Sequence, residues 1–180
     1  MTDRVSGSAT LGVVYEQLEA EFREAMAHVS APVTVVTTMI DGVPYGSTVS
    51  AFASLSVNPP MVLLALDNRG ALIGHVRESG RIGVNVLSSA QTNLAVRFAT
   101  RGLRDRFDGI DWTPENGLPR IVGAAAWLRC EQVTFEPGGD HTVLLGTVTA
   151  AESSNTDGLT YYQRRFGSAT AAISTPGMHA

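Results

Sequence analysis

The sequence predicts a mainly β protein with peripheral helices, and three observations predict it. Two apolar, β-rich runs, Thr34 to Ile40 and Met61 to Leu66, flank a stretch in which small hydroxyl residues alternate with apolar ones. Turn chemistry, Asp41-Gly42 and Asn58-Pro59-Pro60, punctuates these runs. Only one long segment, residues 13 to 29, carries a helical period.

In chain order, Val14, Leu18, Phe22, Met26 and Val29 recur at helical spacing with Glu16, Glu19, Glu21 and Arg23 between them. This predicts an amphipathic helix whose apolar stripe lies on the β body or on a partner subunit. Asp41-Gly42 predicts a hairpin turn, because both residues tolerate the positive φ that a two-residue hairpin loop requires. The strand after it carries Gly46, Thr48, Ser50, Ser54 and Ser56. Pro59-Pro60 lacks the N–H groups that a central ladder needs, so it marks a loop or the start of a strand. A turn at Gly70-Ala71 leads into a helix over residues 70 to 79. Arg81 to Leu87 reads as a buried strand, and Ala90 to Ala99 as a helix with Leu94, Ala95 and Phe98 on one side. Residues 101 to 120 are dense in Gly, Pro, Asp and Asn, which predicts a long loop with little regular structure. Trp127 to Phe135 and Thr142 to Ala151 read as strands joined through Pro137-Gly138-Gly139. The domain plan is a flexible N-terminus over 1–12, one domain over 13–167 and a flexible tail over 168–180, where small residues dominate. No internal repeat is visible.

Composition then removes whole classes of function. A chain of 180 residues is one domain of ordinary size. No apolar run approaches the roughly 20 residues of a membrane span, and no secretory pattern opens the sequence. A soluble, cytoplasmic protein is expected. Cys130 is the only cysteine, which excludes an internal disulfide and any multi-thiolate metal site. All 13 basic residues are arginine. Without lysine there is neither a Schiff-base nucleophile nor a Walker A motif. A net charge of -4 with scattered arginines argues against nucleic acid. A GxGxxG fingerprint is missing, so a nicotinamide nucleotide, if used, is held in some other way. His28, His75, His141 and His179 have no metal-type spacing, so no metal site is expected. Serines together with Asp140 and His141 could suggest a hydrolase, but no GxSxG elbow supports one.

Some residues point to chemistry on their own. Gly46, Thr48, Ser50, Ser54 and Ser56 offer hydrogen bonds without bulk, which suits a flat, phosphate-bearing ligand. The same alternation would also serve as the solvent face of a strand. Asn85, inside an apolar strand, must find a partner for its amide, either sheet backbone or a ligand beside the Ser88 to Gln91 loop. Arg97 suits a phosphate, and equally a plain surface position.

An ordered set of segments resembles the short-chain NAD(P)H:flavin reductases that serve two-component monooxygenases. The set begins with Pro32 to Thr38, then Gly46 to Ser56 with Pro59-Pro60. It continues with Ser79 to Leu87, Gln91, Leu94-Ala95, Phe98-Ala99 and Arg106-Phe107. It ends with Gly139-Asp140-His141, Leu145 to Val148, Tyr162 and Arg165-Phe166. The likeness spans roughly residues 20 to 167.

The resemblance implies a homodimeric split β-barrel that passes hydride from NADH or NADPH to FMN, with FAD possible. The reduced flavin is then released to a separate flavin-dependent monooxygenase. It places Thr48, Val49, Ser50 and Ala51 along the isoalloxazine edge, and Ser54 and Ser56 at the ribityl chain or phosphate. Leu66, Asp67, Asn68 and Ala71 approach the flavin tail. Relatives often carry a hydroxyl residue in this turn where the chain has Gly70-Ala71, so backbone amides at the following helix N-terminus would have to compensate. Asn85, Val86, Leu87, Ser88, Gln91, Arg97 and Phe98 complete the implied flavin site. His141 falls where the family holds the nicotinamide against the flavin or helps supply a proton, with Tyr45, Gly46, Arg165 and Phe166 as companions. The same barrel could also serve a non-catalytic flavin-binding protein that stores or senses its ligand.

Overall fold

The computed structural model describes residues 6–168, with side chains from Val14 onward. The remaining residues of the expected N-terminal segment and tail lie outside the described residues. Among the described residues, twelve strands and three α-helices follow the order α1 (Ser6–Ala27), β1 (Ala31–Pro32), β2 (Thr34–Ile40), β3 (Val43–Val49), β4 (Phe52–Val57), β5 (Pro60–Asp67), α2 (Leu72–Ser79), β6 (Ile82–Val86), α3 (Thr92–Ala99), β7 (Trp112–Glu115), β8 (Leu118–Ile121), β9 (Ala126–Gly138), β10 (His141–Ser153), β11 (Leu159–Tyr162) and β12 (Arg165–Ser168).

Seven strands form one antiparallel sheet in the order β3-β2-β6-β9-β10-β5-β4. The sheet is open: β3 and β4 are its two edges, and no ladder joins them among the described residues. It curls nonetheless, because Val49 of β3 packs in the same buried cluster as Val62, Leu64 and Leu66 of β5, with Ile82, Val84, Cys130 and Leu144 between. A second cluster, built on Val33, Val35, Leu87, Ala95, Phe98 and Ile121, seats α3 against the other side. The strands β1, β11 and β12 form a separate three-stranded sheet.

The expected elements are present, with four differences. Helix α1 begins at Ser6, well before the start of the apolar period. The expected single strand after the hairpin is two, β3 and β4, broken at Ser50-Ala51, so Gly46 and Thr48 lie on one and Ser54 and Ser56 on the other. The expected helix over 90–99 opens with a 3-10 turn at Ser89–Gln91 before α3. The expected loop over 101–120 contains the hairpin β7–β8, turned through Asn116 and Gly117 with φ of 49° and 76°. An Asn-Gly hairpin signal is in the sequence, but Pro114 and Pro119 argue against strands around it. These two prolines face each other across the pair, which is possible in a two-stranded ribbon with free edges.

The apolar stripe of α1 does not pack on its own chain. Val14, Leu18, Phe22 and Met26 are all about half exposed or more, Phe22 at 61%. Among the described residues, the C-terminal end of the helix is tied down. The Gln163 amide donates to Ala27 O at 2.8 Å, and Arg164 pairs with Glu24 at 2.5 Å.

Asn85 is held by the core. Its Nδ2 reaches Val35 O, Thr37 Oγ1 and Pro119 O at 3.2–3.4 Å, and its Oδ1 accepts from the Ile121 amide at 2.7 Å. This network pins the β7–β8 hairpin to β2 and β6. Asn85→Ala removes the amide and strands the buried Ile121 N–H, so urea unfolding is expected to show a loss of about 3 kcal/mol. Cys130 is fully buried, and burial pushes its thiol up to about 12. A thiol reagent at neutral pH should therefore label the protein only after denaturant is added, and prompt labelling of the folded chain would contradict this packing.

Candidate active site

A groove of about 820 Å³ opens beside β3. Its floor is β3 from Pro44 to Thr48, one wall is the turn after β5 with the start of α2, and the other wall is the loop after α3 from Ala99 to Phe107. Gly46 sets how close these parts come. A Cβ there would lie 3.0 Å from the Phe98 ring and 3.3 Å from Phe107, so glycine lets α3 and its loop settle on the strand without moving either ring. Two hydrogen bonds fix the contact: Thr48 Oγ1 donates to Ala95 O at 2.7 Å, and Arg106 Nη1 donates to Gly46 O at 2.7 Å. Phe98, Phe107 and Trp112 continue it as a chain of edge-on rings.

Chemically, the groove combines flat rings with positive charge. Tyr45 and His75 stack with centroids 3.6 Å apart. Arg69, Arg101, Arg104 and Arg106 line it against the single carboxylate of Asp67. Arg69 grips Asp67 through Nε and Nη2 at 3.0 and 2.9 Å, and Arg101 Nη2 reaches the same carboxylate at 2.9 Å. The Arg69 side-chain hydrogen bonds, more than its backbone N–H or the charge of Arg101, hold the Asp67 carboxyl well below the usual carboxylate range. Arg106 is partly buried, which lowers its pKa, and its Nε has no partner. A smaller hollow of about 200 Å³ beside β7–β8 has no comparable field, since Arg120 there is clamped between Glu115 and Glu152.

The residues expected from the sequence separate into several places. Tyr45, Gly46, Thr48, Asp67 and Ala71 line the groove, with Phe98 behind its floor. His141 sits directly opposite Asp67 in the β5–β10 ladder, and its Nδ1 lies 2.7 Å from Asp140 Oδ1. That hydrogen bond lowers the Asp140 carboxyl. Asn68 lies between them, accepting from Thr142 Oγ1 at 2.6 Å. Ser50, Ala51 and Ser54 are exposed at and near the edge strand β4, with Ser56 half-buried on it. Val49 and Leu66 are core side chains.

Asn85 and Leu87 are engaged within the fold. The Asn85 amide is saturated within the sheet, and Leu87 is fully buried with its N–H and C=O both taken by backbone, at Val33 and Leu159. Val86 lies half-buried in β6. Ser88 and Gln91 cap each other, and Gln91 Nε2 donates to Val122 O. Arg97 Nη2 donates to Asp105 O at 2.7 Å, bracing the loop that carries the groove arginines. Arg165 and Phe166 lie on the small sheet beside the end of α1, with Phe166 against Tyr161. Sequence reasoning did not select Arg69, Arg101, Arg104 or His75. The one available signal was the close spacing of Arg101, Arg104 and Arg106 in a chain whose only cations are arginines.

Comparison with known proteins converges on one family. Residues 26–170 match the family described as Flavin reductase like domain. The chain is 38% identical over 149 residues to the reductase component of a 4-nitrophenol 4-monooxygenase/4-nitrocatechol 2-monooxygenase of Rhodococcus opacus, covering 83% of this chain and 80% of that one. Among solved structures, a nitrilotriacetate monooxygenase component B homolog from Mycobacterium thermoresistibile superposes with a TM-score of 0.85 at 30% identity, covering 92% and 94% of the two chains. The NADH:FAD oxidoreductase SgcE6 of Streptomyces globisporus C-1027, in complex with NAD and FAD fragments, gives 0.78 at 30% identity over 89% and 95%. With most of its length matched in sequence and in fold, this chain belongs to the flavin reductase like family.

Proposed function

We propose that the protein is an NAD(P)H:flavin oxidoreductase that reduces FMN, or FAD, and supplies the free reduced flavin to a separate monooxygenase. The observation that carries this reading is the groove, where a stacked ring pair and four arginines face one carboxylate in a chain whose net charge is -4. Such a donor set fits a flat ring bearing phosphate. Bound flavin supplies the hydride acceptor; the chain's part is to hold two ring systems at reacting distance, roughly 3 to 3.5 Å. His141 stands directly across the β5–β10 ladder from Asp67, which lines the groove, and in this reading it orients the nicotinamide side. In this reading Ser50, exposed between β3 and β4, serves the isoalloxazine edge, and Ser54 and Ser56 on β4 serve the ribityl chain or phosphate. Relatives named as reductases support catalysis over a storage role.

The assembly reading is a homodimer of split barrels. It is supported by the curled sheet with two free edges, by the exposed stripe of α1, and by Leu55 and Val57 on the edge strand, the latter 86% exposed. Apolar surface on this scale favours association with a second copy.

Purified protein mixed with free FMN is expected to oxidise NADH or NADPH well above the uncatalysed rate, and turnover at background would remove the proposal. His141→Ala should raise the KM for the nicotinamide nucleotide about tenfold with kcat within about twofold, as uniform binding predicts; an equal fall in kcat would instead place the residue in the chemistry. In sedimentation, the protein should run at twice the mass of one chain, and Phe22→Asp should shift it toward the monomer.

A further inference from the structure

We propose that Tyr45 and His75 form a stacking shelf for the adenine ring of a dinucleotide, so that the groove holds such a ligand at both of its rings. The inference rests on the reading that this groove takes flavin or nicotinamide nucleotides, and it adds where their second ring lies. The two side chains come from separate elements, Tyr45 from β3 and His75 from α2, yet their rings stack with centroids 3.6 Å apart and planes 22° apart. Both are half-buried and both line the groove, so part of each ring is open to a ligand. The support behind them is fixed: Tyr45 packs on the buried cluster that includes Leu72 and Val76, the residues that seat α2 on the sheet. Neither the Tyr45 hydroxyl nor the His75 ring nitrogens make a hydrogen bond among the described residues. A flat ring pair on a rigid base, with free polar tips, is a surface on which a purine base stacks.

The order of features along β3 selects a dinucleotide. Thr48 to Ala51, the isoalloxazine edge in this reading, begin three residues past Tyr45, roughly 10 Å along an extended strand. Gly46 falls between them, and there Arg106 brings the arginine-bearing loop onto the strand by donating to Gly46 O at 2.7 Å. Ring shelf, cations and small polar edge therefore follow one another, as base, pyrophosphate and second ring do in FAD or a pyridine dinucleotide. A mononucleotide such as FMN would end at the cations and leave the shelf unused. The volume agrees, since about 820 Å³ lies in the upper part of the roughly 300–1,000 Å³ range of small-molecule sites.

The test reads Kd for FAD, FMN and riboflavin from flavin fluorescence without any pyridine nucleotide, and Kd for NAD+, NADP+ and nicotinamide mononucleotide by calorimetry. If the shelf takes the adenine of FAD, Tyr45→Leu and His75→Ala each bind FAD about tenfold more weakly, with FMN and riboflavin within about twofold. If it takes the adenine of the pyridine dinucleotide, NAD+ or NADP+ weakens by a similar factor, while nicotinamide mononucleotide and FAD do not. Tyr45→Phe, which keeps the ring, should retain wild-type affinity for the same dinucleotide. His75→Ala decides the matter alone should Tyr45→Leu fail to fold. Variants that lose affinity equally for mononucleotides and dinucleotides, or lose none, overturn the proposal and make the stack a packing contact between α2 and β3. Wild-type protein that binds neither flavins nor pyridine dinucleotides overturns the functional reading of the groove as well.

Discussion

A missing side chain sets the geometry of this protein's groove. Because Gly46 presents only hydrogen, the rings of Phe98 and Phe107 close onto β3 and bring α3 and its following loop to the sheet. That loop carries Arg101, Arg104 and Arg106, so the electrostatics of the groove follow from a steric fact about one strand position. The contact is locked from both ends, since the Thr48 hydroxyl holds the helix and the Arg106 guanidinium holds the loop, each through a backbone carbonyl. Core packing and ligand chemistry are therefore not separable here. A side chain at position 46 would press first on the Phe98 and Phe107 rings that carry this loop.

Charge is distributed against the average. The chain is acidic overall, yet the groove gathers four arginines, and acidic side chains hold arginines fixed elsewhere. Glu115 and Glu152 neutralise Arg120, and Glu24 neutralises Arg164, both far from the groove lining. The arginines left facing the groove meet only one carboxylate. A local field of this kind attracts anionic ligands, while the net negative charge of the whole disfavours polyanions such as nucleic acid.

Most of the fold was legible because its signals are local. The amphipathic period of α1, the Asp41-Gly42 hairpin and the apolar runs of β2, β5 and β6 each depend on neighbours within a few residues, and each is present. The β7–β8 hairpin was hidden because Pro114 and Pro119 argue against strands, and only the pairing of one proline opposite the other in a two-stranded ribbon makes them tolerable. The groove was partly legible. Tyr45, Gly46, Thr48, Asp67 and Ala71 lie on segments whose order carries a family pattern. Arg69, Arg101 and His75 reach it through the docking of α2 and the α3 loop, a tertiary event that no spacing encodes.

Polar residues in apolar strands show why composition along a strand does not by itself mark a ligand site. In β2, Thr34, Thr37 and Thr38 are fully buried, and each hydroxyl donates to a backbone carbonyl, at Val49, at Gly83 and Pro119, and at Arg81. Asn85 joins the same internal network, and its cost of burial is met by four contacts at 2.7–3.4 Å within the fold. Ser50 and Ser54 are exposed, so their hydroxyls stay free to exchange water for another partner. What separates the two groups is whether a backbone carbonyl of a neighbouring strand or hairpin lies within reach of the hydroxyl. At Gly83 the missing side chain opens that path, since a Cβ there would stand 2.6 Å from Thr37 Oγ1. The buried hydroxyls thus report where the fold needed closing.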